Sequence, residues 1–227
     1  MINKYVKNTV YFSLFIQFLT TFISLDGFNY QIMEKDKIMK NILLLESIAQ
    51  CIESIFYIWV VVSLRNLSIM TSRRYIDWYL TTPTMLFNTI MFMEYLKNKE
   101  ENKPQFTIME FIIENKNTII YLFILNALML TSGLLGELKI INVIPSVIIG
   151  FIFFVLLFCH IYKNYAIHTE LSMKLYIFMT TIWSLYGMAA LMNPIVKNSM
   201  YNILDLFSKN FFGFFLYYYI TTIGIRY

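Results

Sequence analysis

Charge is what this chain has least of. Only 14% of its 227 residues are Asp, Glu, Lys or Arg, against 58% hydrophobic and 18% aromatic. A soluble domain carries nearer a quarter charged residues, and the mean hydropathy here is +0.60. That balance excludes a soluble globular protein. Seven glycines and four prolines are too few for a collagen-like or linker-rich chain, and no internal repeat is visible. The two cysteines, Cys51 and Cys159, both fall inside apolar runs. They read as small buried hydrophobes, with neither a disulfide framework nor metal spacing. His160 and His168 have no nucleophile or metal constellation around them, so no enzyme activity is expected. The net charge of +4 is dispersed and forms no patch for nucleic acid. Lys4 and Lys7 precede an apolar run, but no small-residue cleavage site follows, so a cleavable leader is not expected.

What is present is apolar sequence in long blocks. Stretches able to cross a bilayer occur at about 8–25, 41–64, 73–96, 118–138, 140–162, 170–193 and 200–225, each near the ~20 residues that a spanning helix needs. The expected fold is an all-α membrane protein, a seven-transmembrane-helix bundle forming one domain over residues 1–227. The segment from Phe106 to Glu114 reads either as an amphipathic stretch or as an extension of the fourth helix. With the N-terminus outside, the inner segments hold Lys35, Lys37, Lys40, Lys97, Lys99, Lys103, Lys116, Lys163, Lys174 and Arg226. The outer ones hold Lys4, Lys7, Arg65, Arg73, Lys139 and Lys197. The excess inside favours an extracellular N-terminus and a cytoplasmic C-terminus.

The rare charges inside the spans carry the information. Lys209 stands in the middle of the last span, in Asp205-Leu206-Phe207-Ser208-Lys209-Asn210. An ammonium at the bilayer centre costs roughly 2.5–3.5 kcal/mol on insertion scales, so such residues are rare and functional. A lysine shielded from water beside a carboxylate can condense with an aldehyde. On the third span, Arg74-Tyr75-Ile76-Asp77-Trp78-Tyr79-Leu80-Thr81-Thr82-Pro83 puts Arg74, Asp77 and Thr81 on one helix face, with Asn88 two turns on. Arg74 and Asp77 must find partners inside the membrane, and Lys209 and Asp205 are the obvious ones.

Together, Arg-Tyr-x-Asp-Trp-x-x-Thr-Thr-Pro on the third of seven spans and Asp-x-x-x-Lys on the seventh resemble the microbial (type-1) rhodopsins over the whole chain. The resemblance implies all-trans-retinal bound covalently to Lys209 as a protonated Schiff base. It also implies Asp77 and Asp205 as counterions or proton acceptors, with Arg74 organising the extracellular side. It implies a retinal pocket formed by Tyr57, Trp78, Thr81, Thr82, Met85, Met129, Gly133, Trp183 and Tyr186. Gly187 stands where the family usually has proline and Ala190 where it often has tryptophan; both departures should leave the pocket roomier near the ring.

One fold hosts several activities in this family, so the remaining intramembrane polar residues must discriminate. Glu46, Gln50, Glu53 and Tyr57 recur at spacings of four, three and four, one stripe of the second helix. Two carboxylates facing lipid would cost several kcal/mol, on the order of 2.5–3.5 each, so the stripe should face a wet interior. Channelrhodopsins carry glutamates there, and Glu53 matches their central-gate position. Asp-Leu-x-Ser-Lys-Asn, ending in Asn210, is similar to their seventh helix. Ser13 completes a Ser–Glu–Asn constriction, and Gln17 and Asn202 extend polar stripes that would line a cation path. Asn88 replaces the usual proton-donor carboxylate of pumps, and Lys197 stands where pumps often place a glutamate. The expectation is therefore a light-gated channel for protons and monovalent cations. A light-driven outward proton pump is the alternative, and a sensory rhodopsin with a separate transducer follows, since the tail leaves no room for a fused output domain. The set is most similar to the channelrhodopsin-like viral rhodopsins of large DNA viruses that infect algae. That similarity implies a host-cell membrane, with lipid, protons and cations as partners, and leaves a homo-oligomer open.

Overall fold

The computed structural model describes residues 4–62 and 67–226. Arg65, one of the outer charges, lies outside the described residues, as do Ser63 and Leu64 at the end of the second expected span.

Among the described residues, seven spans are present. They are α1 (Lys4–Asp26), α2 (Ile38–Val62), α3 (Leu67–Glu100), α4 (Ile108–Glu137), α5 (Val143–Asn164), α6 (Glu170–Ala190), and a seventh built from α7 (Pro194–Asp205) and α8 (Phe211–Ile223) joined through Leu206–Asn210. In hydrocarbon every backbone N–H and C=O must be paired within its own segment, which is why apolar blocks of this length become helices. By length and apolarity alone, α1, α2, α4 and α5 qualify as membrane spans. The others are more polar or interrupted, and they carry most of the intramembrane charges.

Local sequence sets the ends. Thr107 and Glu110 form a reciprocal capping box at the start of α4. The stretch from Phe106 to Glu114 is thus the beginning of the fourth helix, and α4 starts ten residues before the apolar block suggested. Thr169 caps α6 by accepting from the Ser172 N–H. Asn193 accepts from the N–H groups of Ile195 and Val196, with Pro194 in the first turn of α7. The seventh span therefore also begins earlier than its apolar run, at Pro194. Pro83 lies inside α3 without ending it. Around it, the hydroxyls of Thr81, Thr82 and Thr84 bond back to the carbonyls of Asp77, Trp78 and Leu80, which satisfies these hydroxyls within the helix.

The seventh span holds the main departure from regular helix. Leu206–Asn210 forms a π turn, with the Phe211 N–H reaching back five residues to the Leu206 carbonyl. Such wide turns occur mostly at functional sites, and Lys209 lies within this one.

The outer surface is apolar, with Phe15 and Phe22 of α1 and Ile148 and Ile152 of α5 exposed, as a lipid-facing surface requires. At one end of the bundle, a short ladder pairs Tyr30 with Arg226 and Gln31 with Ile225, and Arg226 meets Asp26 at 3.1 Å. Beneath it, buried Asp36 accepts from the Tyr95 hydroxyl and from Lys99 at 3.2 Å, and Lys99 also reaches Tyr219 at 3.3 Å. At the opposite end, Lys197 pairs with Glu137 at 2.7 Å.

Candidate functional site

The polar face of α3 and the π turn of the seventh span meet at the centre of the bundle. Lys209 Nζ lies 2.5 Å from Asp77 Oδ2. Arg74, with no exposed surface, meets Asp205 Oδ2 at 3.0 Å. Asp205 also accepts from Tyr57 at 2.6 Å and from Tyr186 at 2.7 Å. The same guanidinium bonds the Asn202 side-chain oxygen. Each intramembrane cation thus has a carboxylate against it, as buried ions must.

Glu53 is placed differently from the gate ring that the sequence suggested. Its carboxyl is fully buried and approaches Lys209 Nζ at 3.3 Å. The approach is an ion pair without hydrogen-bond alignment, since neither carboxyl oxygen has a hydrogen-bond partner. Ser13 bonds the Asn202 carbonyl at 2.8 Å, and Asn210 reaches the Asp205 carbonyl at 3.5 Å. Ser13 and Asn210 are therefore engaged with the backbone of the seventh span, while the nearest charge to Glu53 is Lys209.

Beside Lys209 lies a cavity enclosing about 780 Å³ of empty space, its mouth included. Trp78, Thr82, Met85, Met129, Gly133, Trp183, Tyr186 and Lys209 all line it. Tyr57 and Thr81 do not. Tyr57 is turned to Asp205, and Thr81 borders a separate small void of about 170 Å³ with Glu46, Gln50, Glu53 and Lys209. Tyr75, Phe151, Phe154, Tyr201 and Ser208 also line the large cavity. Sequence reasoning missed the two phenylalanines, because an aromatic inside a uniformly apolar helix carries no periodic mark. Gly187 and Ala190 both border the cavity, and a Cβ at Gly187 would meet the Phe151 ring at 2.7 Å.

The wall suits an apolar polyene aldehyde that condenses with an amine. Aromatic and methionine side chains form it, and a single ammonium projects into it from Lys209. Trp78 packs edge-on against Tyr75, Tyr186 and Tyr201, while Trp183 packs against Phe158. Asn126 donates to Thr82 at 2.8 Å on the same wall.

A column of buried polar side chains runs away from Lys209 along α1, α2 and the seventh span. Gln17 donates to the Gln50 carbonyl at 3.2 Å. Gln50 packs against Gly213 so closely that a Cβ there would overlap its amide, so any larger residue at that crossing must displace the Gln50 side chain. Farther along, Asn88 donates to Glu46 at 3.2 Å. Buried polar atoms without a protein partner recur in this column: Gln17 Oε1, Ser24 Oγ, both Gln50 amide atoms and Asn210 Oδ1.

The sequence matches the family model of bacteriorhodopsin-like proteins over residues 8–223. The chain belongs to this family, the microbial rhodopsins, whose members normally bind retinal. Among solved structures it is similar to the viral rhodopsin OLPVRII, at 25% identity and a TM-score of 0.81, covering 96% of this chain and 98% of that one. It is also similar in fold to the rhodopsin of Exiguobacterium sibiricum, at 17% identity and a TM-score of 0.74, covering 99% and 100%. A third similar fold is the light-driven proton pump of Coccomyxa subellipsoidea, at 15% identity and a TM-score of 0.72, covering 96% and 98%. No curated protein was found to match the sequence.

Proposed function

We propose that this protein is a retinal-binding, light-gated cation channel. It would conduct protons and monovalent cations along a path bordered by α1, α2 and α7–α8, with its N-terminus extracellular and its C-terminus cytoplasmic. The observation that carries the reading is the column of buried polar groups. Gln50 of α2 meets Gln17 of α1 and lies with Ser24 against Gly213 of the seventh span, and Gln17, Ser24, Gln50, Glu53 and Asn210 all carry buried polar atoms that find no protein partner. Polar groups buried without partners cost about 1–3 kcal/mol each, so such a column is maintained where water and ions replace the missing partners.

All-trans-retinal, held covalently at Lys209, would supply absorption of visible light and a change of shape on illumination. Trp78, Thr82, Met85, Met129, Gly133, Trp183 and Tyr186 would hold it and keep water from the polyene. Asp77 stabilises positive charge on the Lys209 nitrogen and is placed to accept its proton at 2.5 Å. Asp205, fixed by Arg74, Tyr57 and Tyr186, keeps a second negative charge close by. Glu53 narrows the path at the level of Lys209. Asn202, in contact with Arg74, Ser13 and Thr9, closes the extracellular side.

A second reading, an outward proton pump, has its own observation. Asn88 lacks an acidic proton, but it is bonded to the Glu46 carboxyl, so an acid does stand on that side of Lys209. Photocurrents in retinal-supplied cells, recorded over a range of holding potentials, separate the two. A current that reverses sign with voltage and follows the cation gradient supports the channel. A current outward at every voltage overturns it in favour of the pump, with Glu46 as the reprotonating acid.

A further inference from the structure

Two cations and three carboxyl groups share the centre of this bundle, and their distances sort them into unequal sets. Asp205 is saturated: Arg74 at 3.0 Å, Tyr57 at 2.6 Å and Tyr186 at 2.7 Å all donate to it. Asp77 takes the nearest position to Lys209, at 2.5 Å. Glu53 is wholly buried, has no hydrogen-bond donor, and among the described residues has one cation within ion-pair distance, Lys209 at 3.3 Å.

We propose that Glu53, rather than Asp205, is the second carboxyl partner of the Lys209 nitrogen. The polar stripe of α2 is thereby tied directly to the retinal site. The inference rests on the reading of Lys209 as the retinal-binding residue, and it holds for a channel and a pump alike.

The physical case is one of distance and competition. Coulombic attraction falls with separation, and a carboxylate already bonded by a guanidinium and two phenols is held in place by them. A buried carboxyl with no donor has no such restraint, and its orientation is governed by the nearest cation. The groups facing Glu53 are Glu46, Gln50 and Tyr57 on its own helix, Asp77 and Thr81 on α3, and Asp205 and Lys209 on the seventh span. Of these, Lys209 is the sole cation, and Asp77 is the anion that competes most closely for it. A change at the Lys209 nitrogen is therefore felt first by Asp77 and Glu53, and through Glu53 by α2. Gln50, wedged against Gly213 one turn from Glu53, is the next group to respond.

The test is the visible absorption band of the retinal-loaded protein in membranes. Removing an anion beside a positive chromophore destabilises its ground state more than its delocalised excited state, so the band moves to longer wavelength. Glu53→Gln should shift it in the same direction as Asp77→Asn, by less because Glu53 is farther away. Asp205→Asn should shift it less than either. With the anion gone, the charged nitrogen is less favoured, so alkaline loss of the visible band should occur at lower pH in Glu53→Gln than in the unsubstituted protein. Glu53→Asp, which keeps the charge but retracts it by one methylene, should fall between the two and covers the case in which the glutamine variant does not fold. A Glu53→Gln band unmoved in both wavelength and alkaline titration, with Asp77→Asn shifted, would overturn the inference. So would a larger shift in Asp205→Asn than in Glu53→Gln. If the unsubstituted protein forms no visible band with retinal, the retinal reading itself fails, and this inference with it.

Discussion

Replacing Asp205 by asparagine keeps the shape of the core around Arg74 and removes one charge from it. The Arg74 guanidinium is fully buried, and its closest anion is Asp205 at 3.0 Å. At that separation and an effective dielectric of about 20, the gross attraction is about 5–6 kcal/mol. Desolvation offsets much of that in the intact pair. Breaking a buried pair from one side, however, leaves an uncompensated charge, and that costs about 3–5 kcal/mol. The Asn202 oxygen stays in place and softens the loss without supplying charge. Tyr57 and Tyr186 lose a charged acceptor as well, and a hydrogen bond to a charged group contributes about 1.5–3 kcal/mol. Asp205→Asn should therefore destabilise the protein by at least about 3 kcal/mol, read as a fall in the unfolding midpoint of the detergent-solubilised protein. The double variant Arg74→Gln/Asp205→Asn should be less destabilised than the sum of the two single variants, because it leaves no orphaned charge. A single Asp205→Asn variant within about 1 kcal/mol of the parent, or strict additivity in the cycle, would refute the argument that this pair is mutually required.

Lys209→Ala should abolish visible absorbance after retinal addition while the helical far-UV signal persists; a retained visible band would move the chromophore elsewhere in the cavity. Gly213→Ala places a methyl group where the Gln50 amide lies. Overpacking of this kind costs about 1–3 kcal/mol, so the unfolding midpoint should fall and the photocurrent should change as Gln50 is displaced. A variant identical to the parent in both respects would show that α2 and α8 do not meet tightly at Gly213.

The number of spans was legible because a bilayer leaves a chain few ways to satisfy its backbone. The contacts between Asp77 and Lys209 and between Arg74 and Asp205 could be anticipated for a related reason. Ions in hydrocarbon need partners, and the third and seventh spans each offered one cation and one carboxylate. Helical spacing placed Glu46, Gln50 and Glu53 on one face. It could not give the rotation of α2 about its own axis relative to the seventh span, and that rotation decides whether Glu53 meets Ser13 or Lys209. Phe151 and Phe154 were hidden for want of contrast, since α5 is apolar on every face. The cluster of Asp36, Tyr95, Lys99 and Tyr219 draws on a loop and two helix ends far apart in sequence, and no local pattern marks it. The π turn was invisible for a subtler reason. It depends on backbone hydrogen bonds shifted by one residue, which no residue type in Leu206–Asn210 demands.

That wide turn has a consequence for how this lysine could be altered. Relative to an unbroken α-helix, a π turn accommodates one surplus residue, and one residue is worth about 100° of rotation. Everything after Asn210, including the glycine that admits Gln50 and the buried face of Phe212, Leu216 and Ile220, is thus set in a different phase from α7. Deleting one residue between Leu206 and Asn210 would remove the surplus and let the turn close as regular helix, with α8 keeping its face toward α2. Deleting one residue from the regular helix on either side, where there is no surplus to give up, would turn α8 by about 100° against α7. Either Lys209 would then leave the cavity, or Gly213 would leave the α2 crossing. The irregularity acts as a phase offset that lets one helix serve two neighbours whose requirements do not fall on the same face.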